Sequence, residues 1–187
     1  MASKLNNKWI TQLFLFVLTA SFLALTASCS KPEKPAEKRP ERAMTPGPIV
    51  DAGSVKSGGF MKEIEGINDP KQLAHLGDKY FENNRYAEAI EAYEKVLKIN
   101  PKDADTYNDL GLALHYTARS EKAVEILKKG AEVNPSFQRI WLSLGFVLTT
   151  TGKNKEAEVA LNKAIALDPD STQGQEAKRL LVFIKAR

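Results

Sequence analysis

The sequence predicts an all-α protein whose folded part is three helical hairpins in a row followed by one further helix. Three observations predict it. From Pro70 onward the chain repeats with a period of 34: Leu76, Leu110 and Leu144, Gly77, Gly111 and Gly145, Ala89, Ala123 and Ala157, and Pro101, Pro135 and Pro169 recur at fixed offsets without insertion or deletion. Each unit ends in Asn100-Pro101, Asn134-Pro135 or Asp168-Pro169, and proline pushes the residue before it out of the α region, so a helix stops there. After the third unit, Ala177, Leu180, Leu181 and Ile184 follow i, i+3, i+4, i+7, which is one apolar stripe on a helix.

The first element in chain order is unlike the rest. Lys4 and Lys8 give a short basic start, and Trp9 to Ala27 is nearly free of charge. This is the n-region and h-region of a secretory signal, assigned here to residues 1–28. Without it the formal charge of +4 falls to about +2, too small an excess to argue for nucleic acid or an anionic membrane surface, which need clustered Lys and Arg. The single cysteine excludes an internal disulfide, so the fold must rest on packing.

That cysteine closes the apolar segment. Leu25-Thr26-Ala27-Ser28-Cys29 resembles the lipobox of bacterial lipoproteins, with Leu25 one place earlier than that family prefers and Thr26 in its place. The resemblance implies cleavage before Cys29, acylation of its thiol and an envelope location anchored by lipid. Two acyl chains suffice for stable anchoring at about 0.8 kcal/mol per buried CH₂. Ser30, where the family often uses Asp to retain a protein in the inner membrane, favours the periplasmic face of the outer membrane in a host that has one. The alternative is an uncleaved anchor helix with an incidental thiol, since Trp9 to Ala27 approaches the roughly 20 residues that span a bilayer.

Residues 29–69 read as a tether. Lys31 to Arg42 alternates charge with proline, and Pro46-Gly-Pro48 and Gly53 to Gly59 continue with turn-formers, a composition that buries too little surface to offset the entropy of ordering. At its end Phe60, Met61, Ile64 and Ile67 lie at near-helical spacing, as a cover for the open face of the first unit.

The units run 70–103, 104–137 and 138–171. Their period, with Leu-Gly, Ala and Pro at those offsets, resembles the tetratricopeptide repeat. Trp141 opens the motif in the third unit, where Leu73 and Tyr107 stand in the others, and Tyr80 and Tyr93 match in the first. The resemblance implies a right-handed α-solenoid. Gly77, Gly111 and Gly145 sit inside the first helix of each hairpin, where glycine costs about 1 kcal/mol relative to alanine. Close approach of the partner helix at Ala89, Ala123 and Ala157 is the expected cause. Residues 172–187 then cap the solenoid, with Lys178, Arg179 and Lys185 toward water and Val182 and Phe183 off the buried stripe.

Helical geometry gathers a second face on each first helix. It holds Lys71, Ala74, Asp78, Phe81 and Glu82 in the first unit, Asp105, Asn108, Leu112, His115 and Tyr116 in the second, and Arg139, Leu142, Phe146, Thr149 and Thr150 in the third. The resemblance implies that this face lines a concave groove for a partner peptide or helix. Exposed Leu112, Tyr116, Leu142 and Phe146 would need cover, from a partner or from neighbouring helices and the cap. One subfamily clamps a terminal carboxylate with Lys and Asn, then Asn, then Lys and Arg. Ala74 and Asp78 replace the first pair here and Ser143 the final Arg, which argues against that ligand although Asn108 and Arg139 lie nearby.

Chemistry has little to stand on. His75 and His115 lack the converging ligands of a metal site, and no P-loop, dinucleotide fingerprint or nucleophile elbow is present. The expectation is a non-enzymatic, envelope-anchored adaptor that needs no cofactor, metal or small-molecule substrate and binds a protein. A pilotin-like assembly factor for a pilus or secretion system, or an accessory subunit of a cell-wall-modifying enzyme, stands as the alternative.

Overall fold

Among the described residues seven helices follow a short helical turn, and the caps explain where several of them begin. The computed structural model describes residues 63–186, so the assigned signal segment, Cys29 and the tether up to residue 62 lie outside the described residues. Helix α1 (Pro70–Glu82) starts where the Asp69 side chain accepts a hydrogen bond from the Lys71 amide at 2.9 Å, with Pro70 in the first turn, where no intrahelical donor is needed. Helix α3 (Ala104–Tyr116) starts on Asp103, which accepts from the Thr106 amide, and α7 (Thr172–Lys185) on Ser171, which accepts from the Gly174 amide. The second helices α2 (Tyr86–Ile99), α4 (Ser120–Val133) and α6 (Asn154–Leu167) end at Asn100, Asn134 and Asp168, whose backbones have left the α region, as the following prolines require. Helix α5 (Gln138–Thr150) opens the third hairpin.

Each first helix turns into its partner through the same device. Asn84, Ala118 and Gly152 adopt φ of 60°, 59° and 75°, and the next amide in each case reaches back five residues, Arg85 to Tyr80, Arg119 to Leu114 and Lys153 to Leu148, at 2.9 Å. This is a Schellman closure, and only the third copy uses glycine at the left-handed position.

The helices pack as hairpins α1–α2, α3–α4 and α5–α6, with α7 against α5 and α6. One apolar core runs through the three hairpins. A second cluster, Leu142, Leu161, Ala164, Ala177 and Leu181, fastens the last helix, so the apolar stripe of α7 is buried as its spacing predicts. Gln138 adds a polar staple: its amide nitrogen donates to the Ala164 and Asp168 carbonyls and its oxygen accepts from Ser171.

The helix glycines have a cause other than the one expected. A Cβ on Gly77 would lie 2.5 Å from the Tyr93 ring, one on Gly111 would lie 2.5 Å from Leu127 Cγ, and one on Gly145 would strike Leu161. The close approach therefore comes from the large side chain sixteen residues later, laid across the glycine. Ala89, Ala123 and Ala157 are themselves fully buried between helices.

Before α1, residues 63–65 form a helical turn. Ile64 is buried in the core and Ile67 packs against it, the cover expected of them, while Phe60 and Met61 lie outside the described residues. The Tyr80 hydroxyl donates to Glu63 Oε2, and the Lys95 ammonium donates to the carbonyls of Ile64 and Glu65. The last residues assigned to the tether are thus part of the packed unit. Among the described residues no helix is long and apolar enough to cross a membrane.

Candidate partner-binding face

Because the units have equal length, α3 and α5 lie side by side with equivalent positions facing, and side chains 34 or 35 residues apart meet. The Arg139 guanidinium donates to Asp105 Oδ1 at 2.5 Å and sits over the Phe137 ring, while its buried Nε has no acceptor among the described residues. Ser143 Oγ donates to Asn108 Oδ1 at 2.6 Å, and the Asn108 amide donates onward to Asp109. His115 pairs through Nδ1 with Ser120 Oγ at 2.9 Å and through Nε2 with Thr150 Oγ1 at 3.5 Å. Burial holds the His115 pKa below the ordinary imidazole value, so the neutral ring is favoured.

Aromatic rings continue the row. Phe81 meets Tyr86 edge to face at 5.1 Å and Tyr116 at 5.8 Å, and Tyr86 and Tyr116 lie 5.1 Å apart. His115 stands 5.6 Å from Tyr116 and edge to face with Phe146 at 5.5 Å. Five rings from all three units therefore form one connected series, within the 4.5–7 Å range in which ring pairs attract.

This arrangement corrects the expectation of an exposed apolar groove. Leu112, Tyr116, Leu142 and Phe146 are only 3%, 3%, 4% and 8% exposed. Tyr116 and Phe146 stack in the ring series, and Leu142 belongs to the cluster that holds α7, which takes it away from the groove. Ala74 and Phe81 lie in the main core, and Asp78 accepts a hydrogen bond from the Tyr93 hydroxyl at 2.8 Å. The structure brings together Phe81, Asn108, His115, Tyr116, Arg139 and Phe146 in these contacts. It leaves Lys71, Glu82 and Thr150 as the exposed members of the same face.

Sequence reading missed Tyr86, Ser120 and Asp109, and treated Ser143 only as a missing arginine. The signal that would have found Ser143 is its 35-residue spacing from Asn108, one more than the period. Among the described residues no three or more His, Cys, Asp or Glu side chains are placed to hold a metal ion.

The architecture defines an all-α solenoid of helical hairpins. A tetratricopeptide repeat model matches residues 104–137 and 138–171, and a second model of the repeat matches 77–116. Over residues 77–171, half of the chain, this protein belongs to the tetratricopeptide repeat family. No curated protein matches it in sequence. Solved structures with the same fold include the TPR2B domain of yeast Sti1 in its pHsp70 complex, at 21% identity and a TM-score of 0.60, covering 63% of this chain and 96% of that one. The Yersinia enterocolitica type III secretion chaperone SycD with a peptide of the translocator YopD matches at 20% identity and a TM-score of 0.58, covering 62% and 92%. The first repeat domain of Spaghetti (RPAP3), bound to an HSP90 peptide, matches at 22% identity and 0.59, covering 63% and 90%.

Proposed function

We propose that this protein is a lipid-anchored adaptor of the bacterial cell envelope, which holds a partner peptide or helix against the inner face of α1, α3 and α5. The observation that carries the binding role is that face itself: three first helices side by side, joined by a connected series of rings and by the Asn108–Ser143 and Asp105–Arg139 hydrogen bonds, with Lys71, Glu82 and Thr150 open to solvent. The solved neighbours, each almost wholly covered by the alignment, support it because several were determined with peptides bound. An acidic chaperone tail is disfavoured as the ligand: Ala74 and Asp78 stand where a carboxylate clamp needs Lys and Asn, Asn108 is occupied by Ser143, and Arg139 bonds Asp105. The anchor rests on the lipobox-like run ending at Cys29.

The test is capture from detergent-solubilised membranes with the full chain, comparing it with a Lys71→Glu, Glu82→Lys, Thr150→Arg variant. These three positions are exposed, so the fold survives the change, whereas charges at buried Leu112 or Phe146 would unfold it. A partner held by the native chain and lost by the variant supports the groove; equal recovery refutes it. Mass spectrometry of the mature amino terminus tests the anchor: a diacylglyceryl Cys29 supports it, and an unmodified Met1 overturns it.

A further inference from the structure

The open side of α7 does not look like the end of an interrupted repeat. In the three units, the side of the first helix that receives the second helix carries Leu73, Leu76, Gly77 and Tyr80, then Tyr107, Leu110, Gly111 and Leu114, then Trp141, Leu144, Gly145 and Leu148. The equivalent positions of α7 are Gln175, Lys178, Arg179 and Val182. A long cation, Arg179, thus stands at the position where each first helix carries the glycine crossed by its partner's side chain.

The same surface is not purely polar. Val182 is 69% and Phe183 46% exposed, and Val159 on the neighbouring α6 is 70% exposed, three of the five exposed large apolar side chains among the described residues. Lys185 reaches Glu158 at 3.6 Å and Arg179 reaches Glu176 at 3.2 Å, both solvent-exposed pairs that compete weakly with another anion, while half-buried Lys178 donates to the Pro169 carbonyl at 2.8 Å. Charge is also segregated. Residues 63–152 carry an excess of acids, while α7 has three cations, Lys178, Arg179 and Lys185, against Glu176 alone.

We infer that the open face of α7 is a docking surface for an anionic lipid bilayer, with the cations at the headgroups and Val182 and Phe183 in the interface. Long cationic side chains beside exposed apolar ones are the composition of interfacial helices, whose stems lie along the apolar boundary while the charges stay in water. The inference rests on the envelope-membrane location proposed above, but the surface can be read separately from the anchor.

Full-length protein is reconstituted into vesicles of phosphatidylcholine alone or with 30% phosphatidylglycerol, and amide hydrogen exchange is followed over residues 172–186. Each cation near such a surface is worth about fivefold in partitioning, so loss of three lowers docking on the order of 100-fold. Slower exchange of α7 in phosphatidylglycerol vesicles, reversed by high salt and absent from the Lys178→Glu, Arg179→Glu, Lys185→Glu variant, supports the inference. That variant alters only exposed or half-buried side chains, and unchanged exchange in α1 to α5 verifies its fold. Equal exchange in both vesicles overturns it. Protection that rises with protein concentration and ignores lipid charge also overturns it, in favour of a second copy as the occupant. Failure of the chain to associate with neutral vesicles speaks against the anchor alone, because docking of α7 to added anionic vesicles is still read.

Discussion

Replacing Gly111 by alanine tests whether the helix glycines are kept for the side chain that crosses them. Alanine gains about 1 kcal/mol of helix propensity. Its Cβ, however, would lie 2.5 Å from Leu127 Cγ and 2.7 Å from Cδ2, where carbon pairs are at their optimum near 3.5–4.0 Å. Leu127 is fully buried and the clash falls on its branching carbon, so no rotamer change clears it. Overpacking of this kind costs about 1–3 kcal/mol, and the net expectation is a loss of about 1 kcal/mol, or roughly 4 °C in Tm for a domain of this size. The decisive arm is the double mutant. Leu127→Ala alone costs about 2–5 kcal/mol, but in that background the new methyl enters vacated space and Gly111→Ala becomes stabilising by about 1 kcal/mol. Urea unfolding of the four proteins then gives a coupling near 2 kcal/mol. Additive effects within about 0.5 kcal/mol, or a Gly111→Ala single mutant more stable than the native chain, would refute the packing account.

Ala118 is a counterexample where glycine should help: at φ 59° a Cβ costs about 1–2 kcal/mol, against about 0.4–1 kcal/mol of unfolded-state entropy, so Ala118→Gly raises the unfolding free energy by about 0.5–1 kcal/mol in the same urea assay. Because burial lowers the pKa of His115 in the folded chain, its contribution to stability is complete above the ordinary imidazole pKa near 6.5 and is lost as pH falls through that value toward the folded one. Melting temperature should therefore decline from pH 7 toward pH 5, and His115→Gln should flatten that part of the profile. Truncation after Asp170 uncovers Leu142, Leu161 and Ala164 and removes Ala177 and Leu181, a loss of at least about 4 kcal/mol at about 1.5–3 kcal/mol per buried leucine; calorimetry should show Tm falling by more than 10 °C.

Repetition made the architecture readable. Three copies of the same glycine, alanine and proline offsets specify helix ends and hairpins more firmly than any single segment could, and the stripe of α7 identified its buried side. What stayed hidden depends on superhelical placement. Helical spacing assigns Leu142 and Phe146 to one face, but whether that face is open is decided by how closely neighbouring hairpins approach and by where α7 lands. The partner of Gly77, Gly111 and Gly145 is likewise sixteen residues away in each case, where a large side chain reads as ordinary core. The pairs Asp105–Arg139 and Asn108–Ser143 differ by one in spacing because side chains lean along the helix, so the period alone does not name both.

The helical turn over residues 63–65 is joined to both helices of the first hairpin, through Tyr80 on α1 and Lys95 on α2. A pull applied upstream of Glu63 is therefore shared between α1 and α2 instead of being concentrated on the first turn of α1. Opening α1 away from α2 must therefore also break the contacts that residues 63–65 make with one helix or the other.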